Sequence, residues 1–111
     1  MNYDYAVIKY SAISNIHSVS DLTPVGFELY QNYPNPFNPK TVIRFSLIEN
    51  CLATLKIFDA LGKEVLILVN EKLNAGTYEK EFDASDLPSS VYFYKLSAGG
   101  FEDTKKMLLV R

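Results

Sequence analysis

Hydrophobic and polar residues alternate over most of the chain beyond residue 40, and this pattern predicts β-strands. In residues 41–47, Ile43, Phe45 and Leu47 fall on one side of an extended chain, while Arg44 and Ser46 fall on the other. Comparable strand patterns cover residues 52–59, 77–83, 91–98 and 101–110. A continuous apolar run at 64–69 also predicts a strand, but its pattern does not separate inward from outward positions.

Turn-forming residues separate these strands, and no segment has the sustained 3.6-residue periodicity of an amphipathic helix. Gly62, Gly76 and the pair Gly99-Gly100 stand between strand patterns, where tight turns favour residues that tolerate positive φ. With a short strand pattern at 27–31, about seven strands are expected between residue 27 and the end. We therefore predict an all-β, Ig-like antiparallel β-sandwich, although the cysteine pair and core tryptophan of immunoglobulin domains are absent.

The first 26 residues differ from this pattern. Residues 1–11 contain one isolated aromatic strand pattern, which predicts the terminal strand of a preceding domain that is missing from the sequence. Residues 12–26 are rich in Ser, Asn and Thr and include the only histidine, His17, so their composition predicts a linker. The sandwich is expected at 27–111, behind an orphan strand and this linker.

Three closely spaced prolines follow the first strand of the predicted sandwich. The segment 32–39 reads NYPNPFNP. Proline fixes φ and favours an extended residue before it, while asparagine favours tight turns. We predict a rigid, irregular corner that leaves Tyr33 and Phe37 free to insert into an end of the core.

Composition and charge exclude several classes of function. With 111 residues, 48% of them apolar, the chain suits one domain with a hydrophobic core. A formal charge of −2 and a pI near 5.3 argue against nucleic acid as a partner. The residues after Met1 lack a basic segment followed by an apolar run, so an exported protein would carry its signal peptide on upstream sequence. In that case the chain would be a fragment or would have a misassigned start.

Candidate catalytic and metal-binding residues are few. One cysteine, Cys51, and one histidine, His17, are too few for a zinc site, and no third residue would orient them as a catalytic pair. Glu81, Asp83 and Asp86 lie close in sequence, and turn formation explains the aspartates better than calcium binding, although a calcium site at the end of the sandwich stays open. We expect no enzyme activity, no cofactor and no small-molecule substrate.

Five segments, in this order, resemble the type A C-terminal sorting domain of type IX secretion. They are FELYQNYPNPFNPKT at 27–41, LKIFDALGKEV at 55–65, LNAGTY at 73–78, VYFYKL at 91–96 and TKKMLLVR at 104–111. The block at 32–39 is the most specific of them. The resemblance implies an Ig-like sandwich that carries a larger protein across the outer membrane to the cell surface or the medium.

The resemblance also implies site residues and partners. The proline-rich motif of the family corresponds to Pro34, Asn35, Pro36 and Phe37, its Gly-x-Tyr motif to Ser90, Val91 and Tyr92 with serine replacing glycine, and its basic last strand to Lys105, Lys106 and Arg111. The implied partners are the outer-membrane machinery and a sorting peptidase, which removes the domain and attaches some cargo to surface lipopolysaccharide. The tag is expected to be monomeric, with cleavage between about Ser18 and Gly26.

The residues suggest how such recognition would work and leave alternatives open. The last strand would present unpaired backbone groups at its edge, and its basic residues would add charge complementarity. An adhesive or carbohydrate-binding sandwich with an aromatic platform including Phe93 and Tyr30 is one alternative. A structural scaffold module, like the Ig-like domain of flagellar hook-capping proteins, is another. Residues 3–11 resemble the closing strand of a β-propeller-type repeat.

Overall fold

The computed structural model describes residues 16–20 and 26–111. These residues form eight strands and no helix, so the described chain has no helix that could cross a membrane. The strands are β1 (Ile16–Ser20), β2 (Glu28–Leu29), β3 (Lys40–Leu47), β4 (Cys51–Phe58), β5 (Glu64–Leu73), β6 (Gly76–Asp83), β7 (Ser90–Ala98) and β8 (Phe101–Leu109).

The strands form two four-stranded sheets, and every pairing between named strands is antiparallel. The first sheet has the order β1-β6-β3-β2 and the second has the order β5-β4-β7-β8. Seven of the strands lie in the range 27–111. The predicted all-β, Ig-like antiparallel sandwich of about seven strands is therefore confirmed.

The core lies between the two sheets and follows the alternation in the sequence. Ile43, Phe45 and Leu47 of β3 are fully buried, as predicted, and they face Leu55, Ile57, Tyr94 and Leu96 of the second sheet. Alternate side chains of a strand point to opposite faces, so each strand contributes every second residue to the core. Phe37, which precedes β3, and Met107 of β8 belong to the same cluster.

The apolar run in β5 acquires its two faces through irregular pairing with β4. Register shifts lie between Leu55 and Lys56 and between Ile57 and Phe58. A bulge places two residues of one strand opposite one of its partner and so changes which side chains point inward. Val65, Leu66 and Leu68 consequently pack against the core, whereas Ile67 is 46% exposed on the outer side.

A strand lies where the composition predicts a linker. Ile16–Ser20 pairs with β6, with Ile16 opposite Lys80 and Ser18 opposite Tyr78. Five residues of the predicted linker 12–26 thus form a strand, because the edge of β6 supplies the hydrogen-bonding partner that a polar segment needs. The orphan strand predicted in 1–11, and its resemblance to a propeller repeat, lie outside the described residues.

The turn between β7 and β8 has the backbone that its glycines predict. Gly99 and Gly100 have φ values of +53° and +86° and join Ala98 to Phe101 in a two-residue hairpin. The hairpin fixes the register of β8, in which odd-numbered residues face the first sheet and even-numbered residues face outward. This register decides where the terminal basic residues lie.

Candidate recognition site at the proline corner and the last strand

Residues 32–39, here called the proline corner, are fixed by an asparagine inside the corner and a threonine of β3. The side-chain amide of Asn32 donates to Thr41 Oγ1 at 3.0 Å and to the Pro34 carbonyl at 3.1 Å, and the Thr41 hydroxyl donates to the same carbonyl at 2.8 Å. Asn32 and Thr41 are both almost fully buried. The buried side chains of Asn32 and Thr41 are thus hydrogen-bonded, as buried polar groups require, and they hold the Pro34 carbonyl in place.

The corner joins the outer edge of β8. The Phe37 amide donates to the Leu108 carbonyl at 2.9 Å, and the Val110 amide donates to the Phe37 carbonyl at 3.0 Å. Asn35 Oδ1 accepts a bond from the Leu108 amide at 3.0 Å. These bonds place the proline motif and the last strand, about 70 residues apart in sequence, in one continuous surface.

This arrangement limits the free edge that the sequence predicts for the last strand. The Lys106 carbonyl also has a partner, the side-chain amide of Gln31 at 2.8 Å. Among the described residues, the edge of β8 to which no strand or corner is hydrogen-bonded is limited to the part around Glu102 and Thr104, where the Thr104 amide bonds only to Asp103 Oδ1. An extended partner would have this shorter stretch of edge to bind.

The two aromatic side chains of the corner point in opposite directions. Phe37 is 2% exposed and lies 6.0 Å from Phe82, centroid to centroid, so its predicted place at the end of the core is confirmed. Tyr33 is 79% exposed, so the same prediction for Tyr33 is wrong. The backbone of Tyr33 pairs with Val42, which turns its side chain away from the core.

Tyr94 connects the core to the start of the corner. Its hydroxyl donates to the Tyr30 carbonyl at 2.7 Å and accepts from the Asn32 amide at 2.7 Å. Burial raises the pKa of Tyr94 to about 12, because ionisation inside the core is unfavourable. The sequence pattern does not indicate this role of Tyr94, nor that Asn32, Thr41 and Gln31 support the site.

Tyr92 is buried and its hydroxyl donates to the Pro88 carbonyl at 2.8 Å. Burial, with a smaller contribution from Asp59, raises the pKa of Tyr92. Ser90, in the place of the family's glycine, begins β7 and pairs with Leu109. An extended residue at this place does not require glycine, so serine fits the fold.

The three basic residues of the last segment do not form one patch. Lys105 lies on the inner side of β8 opposite Tyr94, and Lys106 lies on the outer side opposite Phe93. Arg111 Nη1 instead donates to the carbonyls of a connecting loop: to Leu87 at 2.6 Å, to Ser85 at 2.8 Å and to Ala84 at 3.3 Å. Arg111 therefore fastens the end of the chain to the loop between β6 and β7.

A family model of the secretion system C-terminal sorting domain matches residues 31–110. The chain belongs to this family. The match spans the proline corner, the core strands β3 to β7 and nearly all of the terminal segment. No curated protein matches the chain.

Membership in the family gives the domain its general role and location. It is a sorting signal for type IX secretion, which interacts with the type IX machinery, and its carrier is a secreted or cell-surface protein. β1 and β2 lie before the matched range, although β2 pairs with β3 through Glu28 and Leu29. The sorting domain as folded is thus longer than the matched residues.

The residues considered for catalysis or metal binding lie in surroundings that do not favour either role. Burial, and then the nearby Glu49 carboxylate, raises the pKa of the Cys51 thiol, which disfavours the nucleophilic thiolate. Asp83 Oδ1 accepts bonds from the amide and hydroxyl of Ser85, which is the turn-forming role expected for it. No cluster of three or more metal-ligating side chains occurs within residues 26–111, and His17 lies in β1.

The aromatic residues suggested for a carbohydrate platform do not lie together. Phe93 is half-buried on the outer side of the second sheet. Tyr30 follows β2 in the first sheet, with its hydroxyl 3.4 Å from Ser46 Oγ. Phe93 and Tyr30 therefore cannot contact one flat sugar chain on a single face.

Proposed function

We propose that this domain is a non-catalytic tag that directs a larger exported protein across the outer membrane by type IX secretion. The observation that carries the proposal is the family match over a fold in which the proline corner and the last strand form one surface. The buried Asn32 and Tyr94 fix that surface before a partner arrives. A pre-organised surface loses less conformational entropy on binding, which favours recognition by a receptor.

The proposed recognition surface consists of the exposed part of the corner and the neighbouring edge of β8. Pro34, Asn35 and Pro36 are exposed, and Asn35 bonds to the Leu108 amide on the edge of the strand. Phe37 holds this surface in place through buried packing and its backbone bonds to Leu108 and Val110. Tyr92 and Arg111 fasten the neighbouring loop between β6 and β7. In this proposal the outer-membrane machinery binds the corner, and the monomeric domain presents one copy of it.

Removal of the tag by a sorting peptidase is part of the proposal. Of the residues from Ser18 to Gly26, those up to Ser20 are paired with β6. A protease binds an extended segment that is not already hydrogen-bonded to a sheet. We therefore place the cleavage within residues 21–26, where it would separate β1 and the cargo from the sandwich.

The test is export of a reporter that carries the full chain. Residues 1–111 are fused behind a fluorescent protein with a periplasmic signal peptide, and surface and medium fluorescence are compared in type IX-competent cells and in a strain that lacks the system. Export only in competent cells, lost on deletion of 105–111, supports the proposal. Retention of a folded fusion in the periplasm of both strains would sink it for this host.

A further inference from the structure

The outer face of the second sheet is unusually apolar for a surface. Of the seven large hydrophobic residues that are exposed in the described part of the chain, three lie on this face: Leu52, Ile67 and Leu108. Three half-buried residues, Phe58, Val91 and Phe93, occupy outward positions between them and lie outside the core cluster. An antiparallel sheet with a solvated outer face normally carries polar residues there, so this composition is typical of a binding surface.

The two outer faces of the sandwich also differ in charge. The face with the exposed apolar residues carries two glutamates and four lysines, a formal charge of +2: Glu64, Glu102, Lys56, Lys72, Lys95 and Lys106. The outer face formed by β2, β3 and β6 carries two basic and four acidic residues, a formal −2: Lys40, Arg44, Glu28, Glu79, Glu81 and Asp83. The positive face therefore stands out on a chain whose formal charge is −2.

Charges and aromatic rings alternate at the centre of the positive face. The register places Lys106 beside Phe93 and Phe93 beside Phe58, across β8, β7 and β4. Lys95, two residues from Phe93 on the same face, lies 3.6 Å from Glu102. Lys106 has no carboxylate within ion-pair distance among the described residues. A cation beside aromatic surface without an internal partner is suited to a carboxylate on another molecule.

We propose that this face docks an acidic, apolar surface on a protein component of the type IX machinery. The inference rests on the proposed function and names a second contact, distinct from the proline corner. The face also carries two glutamates, which are paired with Lys95 and Lys56. A uniformly anionic lipid or polysaccharide would be repelled by these glutamates, whereas a protein can place charges of both signs opposite them, so a protein is the favoured partner. The four strands offer roughly 500 Å² of projected area, which suits a transient interface better than a permanent one.

A photo-crosslinking residue at Ile67 tests which molecule covers the face. The same residue at Ile48 is the matched control, because Ile48 is similarly exposed but lies in the turn between β3 and β4. In competent cells exporting the full-chain reporter, we expect a protein adduct from position 67, identified by mass spectrometry as a machinery component, and at most a tenth as much from position 48. An adduct with a second copy, with lipid or with polysaccharide, equal adducts at both positions, or no adduct overturns the inference.

Charge reversal tests the electrostatic part of the inference. The double variant Lys95→Glu/Lys106→Glu is compared with Lys40→Glu/Lys63→Glu, which makes the same change in net charge at exposed positions off the face. We expect at least tenfold slower export for the first variant and less than a twofold change for the second, with both folded by circular dichroism. The milder Lys95→Gln/Lys106→Gln replaces the first if it unfolds.

The outcomes separate this inference from the proposed function. If the unmodified chain is exported only in competent cells while both double variants are exported equally well, the docking face is wrong and the sorting role stands. If the unmodified chain itself is not exported, the proposed function fails first. Slower export of the Lys95 and Lys106 variant, together with the position 67 adduct, supports the docking face.

Discussion

The hydroxyl of Tyr94 accepts a hydrogen bond from the amide of Asn32, at 2.7 Å, and this bond joins the centre of the core to the first residue of the proline corner. The same hydroxyl donates to the Tyr30 carbonyl, so one side-chain oxygen satisfies two backbone groups on either side of Gln31. Tyr94 is fully buried and Asn32 nearly so. The position of the corner consequently depends on a residue of β7, in the middle of the second sheet.

Replacement of Tyr94 by phenylalanine should destabilise the fold and loosen the corner. The substitution leaves the Asn32 amide and the Tyr30 carbonyl without their partner in a buried place, which costs about 1–3 kcal/mol. Chemical denaturation of Tyr94→Phe measures this loss. The matched control is Tyr33→Phe, whose hydroxyl belongs to a side chain that is 79% exposed, and an equal loss in the two variants would contradict the role of Tyr94.

Tyr94 also predicts how stability changes in alkaline solution. Its pKa of about 12 in the folded domain lies above the value of 10.0 of an unperturbed tyrosine, so folding favours the protonated phenol. This contribution is fully present below pH 10 and is lost as the pH rises from 10 through about 12. The difference in unfolding free energy between wild type and Tyr94→Phe should shrink over that window, and the phenolate absorbance of wild type should show one more late-titrating tyrosine than that of Tyr94→Phe. A difference that stays constant up to the folded-state pKa would contradict this assignment.

Asn35 should control the outer edge of the last strand. Its side-chain oxygen is the acceptor for the Leu108 amide, and alanine cannot replace that acceptor. We expect Asn35→Ala to raise the hydrogen-exchange rate of the Leu108 amide by about tenfold or more and to reduce export of the reporter. Asn38→Ala is the control, because Asn38 is exposed in the same corner and its side chain makes no hydrogen bond with the described residues. Unchanged exchange at Leu108 in Asn35→Ala would refute the role of this bond.

Arg111 allows a structural role to be distinguished from recognition of its charge. One terminal nitrogen donates to the carbonyls of Ala84, Ser85 and Leu87, and this nitrogen lies one bond further from the backbone than the ammonium of lysine would. Arg111→Lys keeps the charge and should still lose about 1 kcal/mol of stability, like Arg111→Ala, and should expose the loop at 84–89 to proteases. Should the lysine variant match wild type in both stability and export, charge alone would be what matters at this position.

Strand periodicity accounts for the parts of the fold that the sequence predicted, whereas the parts it missed depend on irregular contacts. The alternation in β3 placed Ile43, Phe45 and Leu47 in the core correctly. The corner has no such periodicity, so nothing local indicated that Phe37 would point inward while Tyr33 pointed outward. The bulges that expose Ile67 could not be predicted either, because a continuous apolar run does not show which of its residues point inward.

The candidate site was predicted as a set of residues but not as an arrangement. Adjacent strand residues point to opposite faces, so the separation of Lys105 from Lys106 was available from the sequence once the strand was assigned. The contacts of Arg111 with the loop at 84–89 were not available, because they join segments through the tertiary fold. The support of the corner by Tyr94 depends likewise on packing across the sandwich.

The strand β1 provides a final prediction, which concerns the segment between cargo and sandwich. Its pairing covers the edge of β6 from Thr77 to Lys80, and an uncovered edge has free backbone groups that promote self-association. A chain lacking residues 1–20 should therefore be less stable, by roughly 2 kcal/mol for several lost hydrogen bonds, than one lacking residues 1–15.

The two truncated chains differ only in β1 itself, so their comparison isolates the effect of this strand. Hydrogen exchange should be faster in the shorter chain at those amides of β6 that face β1, and light scattering should show concentration-dependent association. Equal stability, exchange and association in the two chains would mean that the sandwich does not use β1, and the cleavage region would then extend upstream of residue 21. Faster exchange confined to β6 would instead mean that β1 protects this edge of the sheet. Cleavage within 21–26 would then uncover the edge if β1 leaves with the cargo.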